Sequence, residues 1–128
     1  FNDRELVFKG NADEKLDFTY IQDVVQGLIL AGFHKKAYRE LFNITYGHAQ
    51  PVLRLAEILK DYCPNLVLKI EPRDQATPMR GTLSNRKASE LLGFKSEWDL
   101  ENGYRQYIDW YVSRKKDLTF SKVAQTNE

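Results

Sequence analysis

The sequence predicts a mixed α/β fold, and three observations carry that prediction. First, the stretch Asp17–Ala31, DFTYIQDVVQGLILA, changes period in mid-course. Its opening residues Asp17-Phe18-Thr19-Tyr20 have the aromatic and β-branched bias of a short strand. Ile21, Val24, Val25, Leu28 and Ile29 then recur at helical spacing, so one helix face is apolar. Second, helical stripes and short strand-like runs alternate along the rest of the chain, as in β-α-β construction. Third, few of those runs are apolar throughout, which argues against a self-contained doubly wound parallel sheet and for a small α+β lobe as an isolated piece.

Taken in order, Glu5-Leu6-Val7-Phe8 reads as a strand, and a turn over Lys9 to Asp13 would return it as a hairpin into Tyr20. Asp23 lies near the start of the first helix, where a carboxylate meets the positive end of the backbone dipole. Gly32 and His34-Lys35-Lys36 suit a helix end and a surface loop, with His34 a solvated or helix-end cation rather than a ligand. Leu41-Phe42-Asn43-Ile44-Thr45 has strand chemistry and Gly47 closes it. Pro51 can occupy a first helical position, and Val52, Leu55, Ala56 and Leu59 form the stripe of a helix to about Tyr62, ended by Cys63-Pro64. Leu66 to Ile70 is a further strand. Pro72 and Pro78 keep Glu71 to Thr82 irregular.

Ser84 is the expected N-cap of a short helix through Leu92, and Gly93 ends it in the left-handed conformation that glycine tolerates. Asp99 caps a last helix from Leu100 to about Lys115, whose inner face would be Leu100, Tyr104, Tyr107, Ile108 and Tyr111. The organisation is therefore one unit over 1–115 and a polar, disordered tail over 116–128.

Composition narrows the function classes. The 128 residues carry 19 basic and 18 acidic side chains, a net charge of +1, so no overall field draws in nucleic acid or an acidic membrane. There is no apolar run near the ~20 residues a bilayer span needs, and the chain reads as soluble and cytoplasmic. Cys63, the single cysteine, has no partner for a disulfide, and two histidines beside it make a poor metal site.

The residues that carry familiar chemistry are mostly missing. No Gly-x-Gly-x-x-Gly turn cradles a dinucleotide, and neither a P-loop nor a Gly-x-Ser-x-Gly elbow is present. Tyr111-Val112-Ser113-Arg114-Lys115 matches Tyr-x-x-x-Lys literally, but one such pair among seven tyrosines carries no weight at the end of a terminal helix. Binding groups remain. Arg73 and Arg80 lie on the proline-bounded loop EPRDQATPMRGTL, and an arginine fork donates two parallel hydrogen bonds to a phosphate. By residue chemistry the same pair is equally readable as two solvated arginines, one paired with Asp74.

The phrases DFTYIQDVVQGLILA, FNITYGHAQPVLRLAEIL, PRDQATPMRGTL, SNRKASELLGF and WDLENGYRQYIDWY occur in an order that resembles the C-terminal, substrate-binding part of extended short-chain dehydrogenases/reductases, the NAD-dependent nucleotide-sugar epimerases and dehydratases. The similarity covers about residues 5 to 115. It implies the last strand–helix elements of a Rossmann-type NAD-binding domain followed by the substrate lobe of a longer polypeptide. It further implies a sugar nucleotide, of the UDP-sugar type, as the ligand, with Arg80 or Arg73 on its diphosphate; Arg80 is favoured by its place directly before Gly81-Thr82-Leu83. NAD and the catalytic Tyr-x-x-x-Lys would belong to the missing N-terminal half, so the chain alone should turn nothing over and bind no NAD. It should also expose apolar surface on the Val24–Leu30 helix. Two departures stand out: Leu16 occupies the position of an arginine that touches the diphosphate in many members, and Ser84 that of a common aspartate. The competing reading is a stand-alone binding or interaction module built on the same lobe.

Overall fold

The computed structural model describes residues 5–9, 14–72, 76, 78 and 80–124. Strand β1 (Glu5–Lys9) is followed by the two-residue β2 (Lys15–Leu16), α1 (Ile21–Phe33) and a 3-10 turn (Lys35–Ala37). Then come β3 (Gln50–Pro51), α2 (Leu53–Tyr62), β4 (Val67–Glu71), α3 (Arg86–Leu92) and α4 (Leu100–Ala124). Helices and strands mix as expected, but the described sheets are small: β1 lies parallel to β4, and β2 antiparallel to β3.

That pairing corrects the expected hairpin. β1 reaches across the chain to β4 in the register Leu6↔Leu68 and Phe8↔Ile70. This register brings two apolar pairs together and leaves Lys69 2.7 Å from Glu5, contacts that the nearer but more polar segment would not supply. The ladder near Asp17 is likewise shifted. Lys15 and Leu16 pair with Pro51 and Gln50, whereas 17–20 run extended without a partner strand. Residues 41–45 also form no ladder, although their apolar–polar alternation survives in burial, with Phe42 and Ile44 more covered than Leu41 and Asn43. Pro51, lacking an N–H, ends β3 and leaves α2 to start at Leu53.

Helix termini follow local chemistry more closely. Asp99 accepts from the backbone of Asn102 at 2.8 Å and caps α4 as expected. Gly93 ends α3 at φ 69°, its N–H on the Ser89 carbonyl and the next N–H, of Phe94, on Ala88. Ser84 sits one residue further out than expected: Asn85 is the N-cap of α3, while the Ser84 hydroxyl accepts from Arg86 N at 3.4 Å. His34 stands at the end of α1, as expected. Its Nδ1 accepts the Lys36 N–H at 3.2 Å, capping the 3-10 turn. Finally, α4 does not stop near Lys115 but continues to Ala124, because neither glycine nor proline follows Gly103 to break it.

The buried apolar residues lie from α2 onward: Ala56 and Ile58 on α2, Ala88 and Leu92 on α3, Phe94 in the linker and Ile108 on α4. Burying a side chain such as Ile58 or Phe94 contributes roughly 1.5–3 kcal/mol. Helix α1 is different. Its buried residues are Asp23 and Gly27, while Ile21, Val25, Leu28, Ile29 and Phe33 stand 47–87% exposed. The expected apolar surface on this helix is therefore present. The aromatic face of α4 is more open than expected: Tyr107 and Tyr111 are 51% and 44% exposed rather than packed inside.

Candidate functional site

The extended segment before α1 and the glycine turn at 45–49 are joined by a seam of polar side chains. Along an extended backbone residues i and i+2 share a face, and Asp17 and Thr19 use that relation. Both Asp17 carboxylate oxygens lie 3.2 Å from the Gly47 N–H. The Thr19 hydroxyl accepts from Tyr46 N at 3.1 Å and donates to the buried Thr45 hydroxyl at 3.4 Å. The approach to α3 closes on the same turn. Asn85 Nδ2 donates to the carbonyls of Thr45 and Tyr46 at 3.0 and 3.3 Å.

Gly47 is required where this seam is tightest. Its φ is 87°, and a Cβ there would stand 3.0 Å from Asn85 Nδ2. Further along, Ala49 N donates to the Thr82 hydroxyl at 2.9 Å, and Asn43 Nδ2 donates to the Ser84 carbonyl at 3.1 Å. Residues 82–85 are thus pinned to the turn, which fixes the base of the segment carrying Arg80. Arg80 itself is exposed and makes no ion pair among the described residues, whereas nearby Lys87 is committed to Glu40 at 2.7 Å and Arg86 to Glu90 at 3.8 Å. Arg73 lies outside the described residues.

A second constellation holds the entry to α4. Asp23, 3% exposed, accepts the N–H groups of Glu97 and Trp98 at 3.0 and 3.2 Å. The expected dipole role is therefore secondary; this carboxylate clamps a segment 74 residues away. It sets the Trp98 ring 4.8 Å from that of Tyr20. Beside it, a cleft of about 360 Å³ opens between Phe18–Ile21 and α4, walled by Leu55, Leu100, Tyr104 and Tyr107. Burial in this wall, with Tyr107 nearby, raises the Tyr104 phenol above its ordinary pKa of 10.0.

Sequence reasoning missed Asp17, Thr19 and Asn85. The i, i+2 placement of Asp17 and Thr19 was a usable signal; Asn85 offered none locally. As for a dinucleotide, the approach to α1 carries Phe18 and Tyr20 where a glycine-rich pyrophosphate turn would need bare backbone.

No protein-family model matches the chain. It is 31% identical over 102 residues to the uncharacterized protein MJ1055 of Methanocaldococcus jannaschii, covering 77% of this chain and 30% of that one. It is 29% identical over 113 residues to UDP-glucuronate 4-epimerase 5 of Arabidopsis thaliana, covering 75% and 25%. Among solved structures, UDP-glucose 4-epimerase of Thermotoga maritima with UDP-glucose superimposes with a TM-score of 0.76 at 25% identity, over 88% of this chain and 36% of that one. UDP-glucuronic acid 4-epimerase from Bacillus cereus, in complex with UDP-glucuronic acid and NAD, gives 0.71 at 25% identity over 80% and 33%.

The chain thus has the mixed α/β fold of part of the NAD-dependent nucleotide-sugar epimerases and dehydratases of the short-chain dehydrogenase/reductase type. It is similar to UDP-sugar epimerases in sequence and in fold, and it spans about a third or less of the length of the relatives it matches.

Proposed function

We propose that the chain is the sugar-nucleotide-binding portion of an NAD-dependent nucleotide-sugar epimerase or dehydratase, and that Arg80, with Arg73, grips the diphosphate of a UDP-sugar. The observation that carries this reading is the placement of Arg80. It is an exposed guanidinium without an ion pair among the described residues, at the edge of a segment fixed by the Thr82, Ser84 and Asn85 hydrogen bonds. A cation held in this way is free to meet a phosphate without first surrendering a carboxylate. Binding energy from the non-reacting end of a substrate then positions the sugar for chemistry elsewhere. The open face of α1 supports the companion reading, that an N-terminal half bringing NAD and the catalytic groups packs there.

The test uses the full-length polypeptide. Arg80→Ala should weaken UDP-sugar binding measured by calorimetry by about tenfold or more, the loss of a charge-assisted contact, while NAD binding is retained. Equal UDP-sugar affinity in Arg80→Ala, Arg73→Ala and the double variant would remove the assignment.

A further inference from the structure

Helix α4 is fastened to α2 by charge as well as by packing. Five side chains alternate in sign across the crossing: Glu57, Arg54, Glu101, Arg105 and Asp61. Arg54 gives one guanidinium nitrogen to Glu57 at 2.8 Å and the other to Glu101 at 2.6 Å. Arg105 reaches Glu101 at 3.0 Å and Asp61 at 2.6 Å, with its guanidinium 5.9 Å from the Tyr62 ring centroid. Glu101 is the hub, its Oε2 taking Arg54 and its Oε1 taking Arg105. Hydrogen bonds from Arg105 and then Arg54 hold the Glu101 carboxyl below its ordinary range. Single exposed pairs contribute little, but a connected set in which each arginine serves two carboxylates is the exception.

The same turns of α4 wall the apolar cleft. Leu100, Gly103, Tyr104 and Tyr107 face it, interleaved with the charged Glu101 and Arg105, and Leu55 enters from α2 directly beside Arg54. Ile108 is the one large apolar side chain of α4 that is fully buried among the described residues, so packing alone fastens this helix lightly. We infer that the five-residue ladder is a charge-dependent latch that holds α4 against α2 and sets the width of the cleft. Screening the ladder, or removing one arginine, loosens α4 and opens the cleft before α3 is disturbed.

Hydrogen exchange on the full chain tests this between about 0.05 M and about 1 M salt, over which the screening length shrinks to about 3 Å. Amides from Gly103 to Tyr111 should exchange about tenfold faster at high salt, while those of Ala88 to Leu92 hold steady. Arg105→Gln should show the fast α4 exchange already at low salt and lose the salt response. Asp61→Asn, which cuts one exposed link, should fall between and keeps the test open if Arg105→Gln does not fold. Lys69→Gln, which cuts the β1–β4 ion pair instead, should leave α4 unchanged. The latch is refuted if α4 responds to salt no more than α3, or if both ladder variants keep the response of the unmodified chain.

Discussion

Helix α1 and the α2–α3–α4 body bury their residues on opposite principles. In the body, apolar side chains go inside: Ile58, Leu92, Phe94 and Ile108 are each no more than 4% exposed. In α1 the inward groups are a carboxylate and a glycine, Asp23 and Gly27, and the apolar stripe points outward. The body thus has a core of its own, while α1 is attached by hydrogen bonds and close backbone approach and leaves its apolar face exposed. An amphipathic helix usually turns that stripe to its own core; here the stripe is turned away from it, which is what the proposed N-terminal half would cover.

The largest effect should come from the body. Phe94→Ala removes a ring that is 1% exposed and should cost about 3–5 kcal/mol in denaturant unfolding. A cost near zero would erase the contrast, because the body would then lack a core in any useful sense. Next comes the polar anchor of α1. Asp23→Ala leaves the Glu97 and Trp98 N–H groups without their acceptor and should cost about 2–3 kcal/mol. Asp23→Asn retains one carbonyl oxygen and should lose about half as much by the same reasoning. If both variants unfold like the unmodified chain, the clamp is incidental.

Two glycines of α1 sharpen the comparison further. A Cβ at Gly27 would overlap the Ile44 side chain, so Gly27→Ala should cost about 1–3 kcal/mol. Gly32 has nothing within 4 Å of such a Cβ, and Gly32→Ala should stabilise by roughly 0.5–1 kcal/mol through helix propensity. Opposite signs on one helix identify the face at which it is attached.

The sequence discloses what is local. The α1 stripe, the Asp99 cap and the Gly93 stop depend on neighbours within a turn, and each stands where its residues predict. Pairings across the chain are hidden. The apolar run Leu6-Val7-Phe8 marks a strand but not its partner, which is β4 rather than the adjacent segment. The function of Asp23 was equally unreadable, since its partners are 74 and 75 residues away. For the candidate site, the type of residue was legible in Arg80, whereas the support beneath it was not. That support comes from Thr82, Ser84 and Asn85 meeting the 43–49 segment, a contact of two stretches with no shared local pattern.

The smallest stability effect is the most discriminating between the two regions. Leu28 lies in the middle of the outward stripe and is 61% exposed. Leu28→Gln keeps helix propensity nearly unchanged and removes no buried contact, so the unfolding free energy should move by no more than ~0.5 kcal/mol. What should change is association. A contiguous apolar face drives copies of the isolated chain together, and replacing its central leucine by an amide should shift sedimentation toward the monomer. In the full-length polypeptide the same substitution should reverse its character, costing about 2 kcal/mol or more if the face is covered there. A leucine equally tolerant of glutamine in both settings would mean that nothing covers this stripe, and that its outward orientation reflects no missing partner surface.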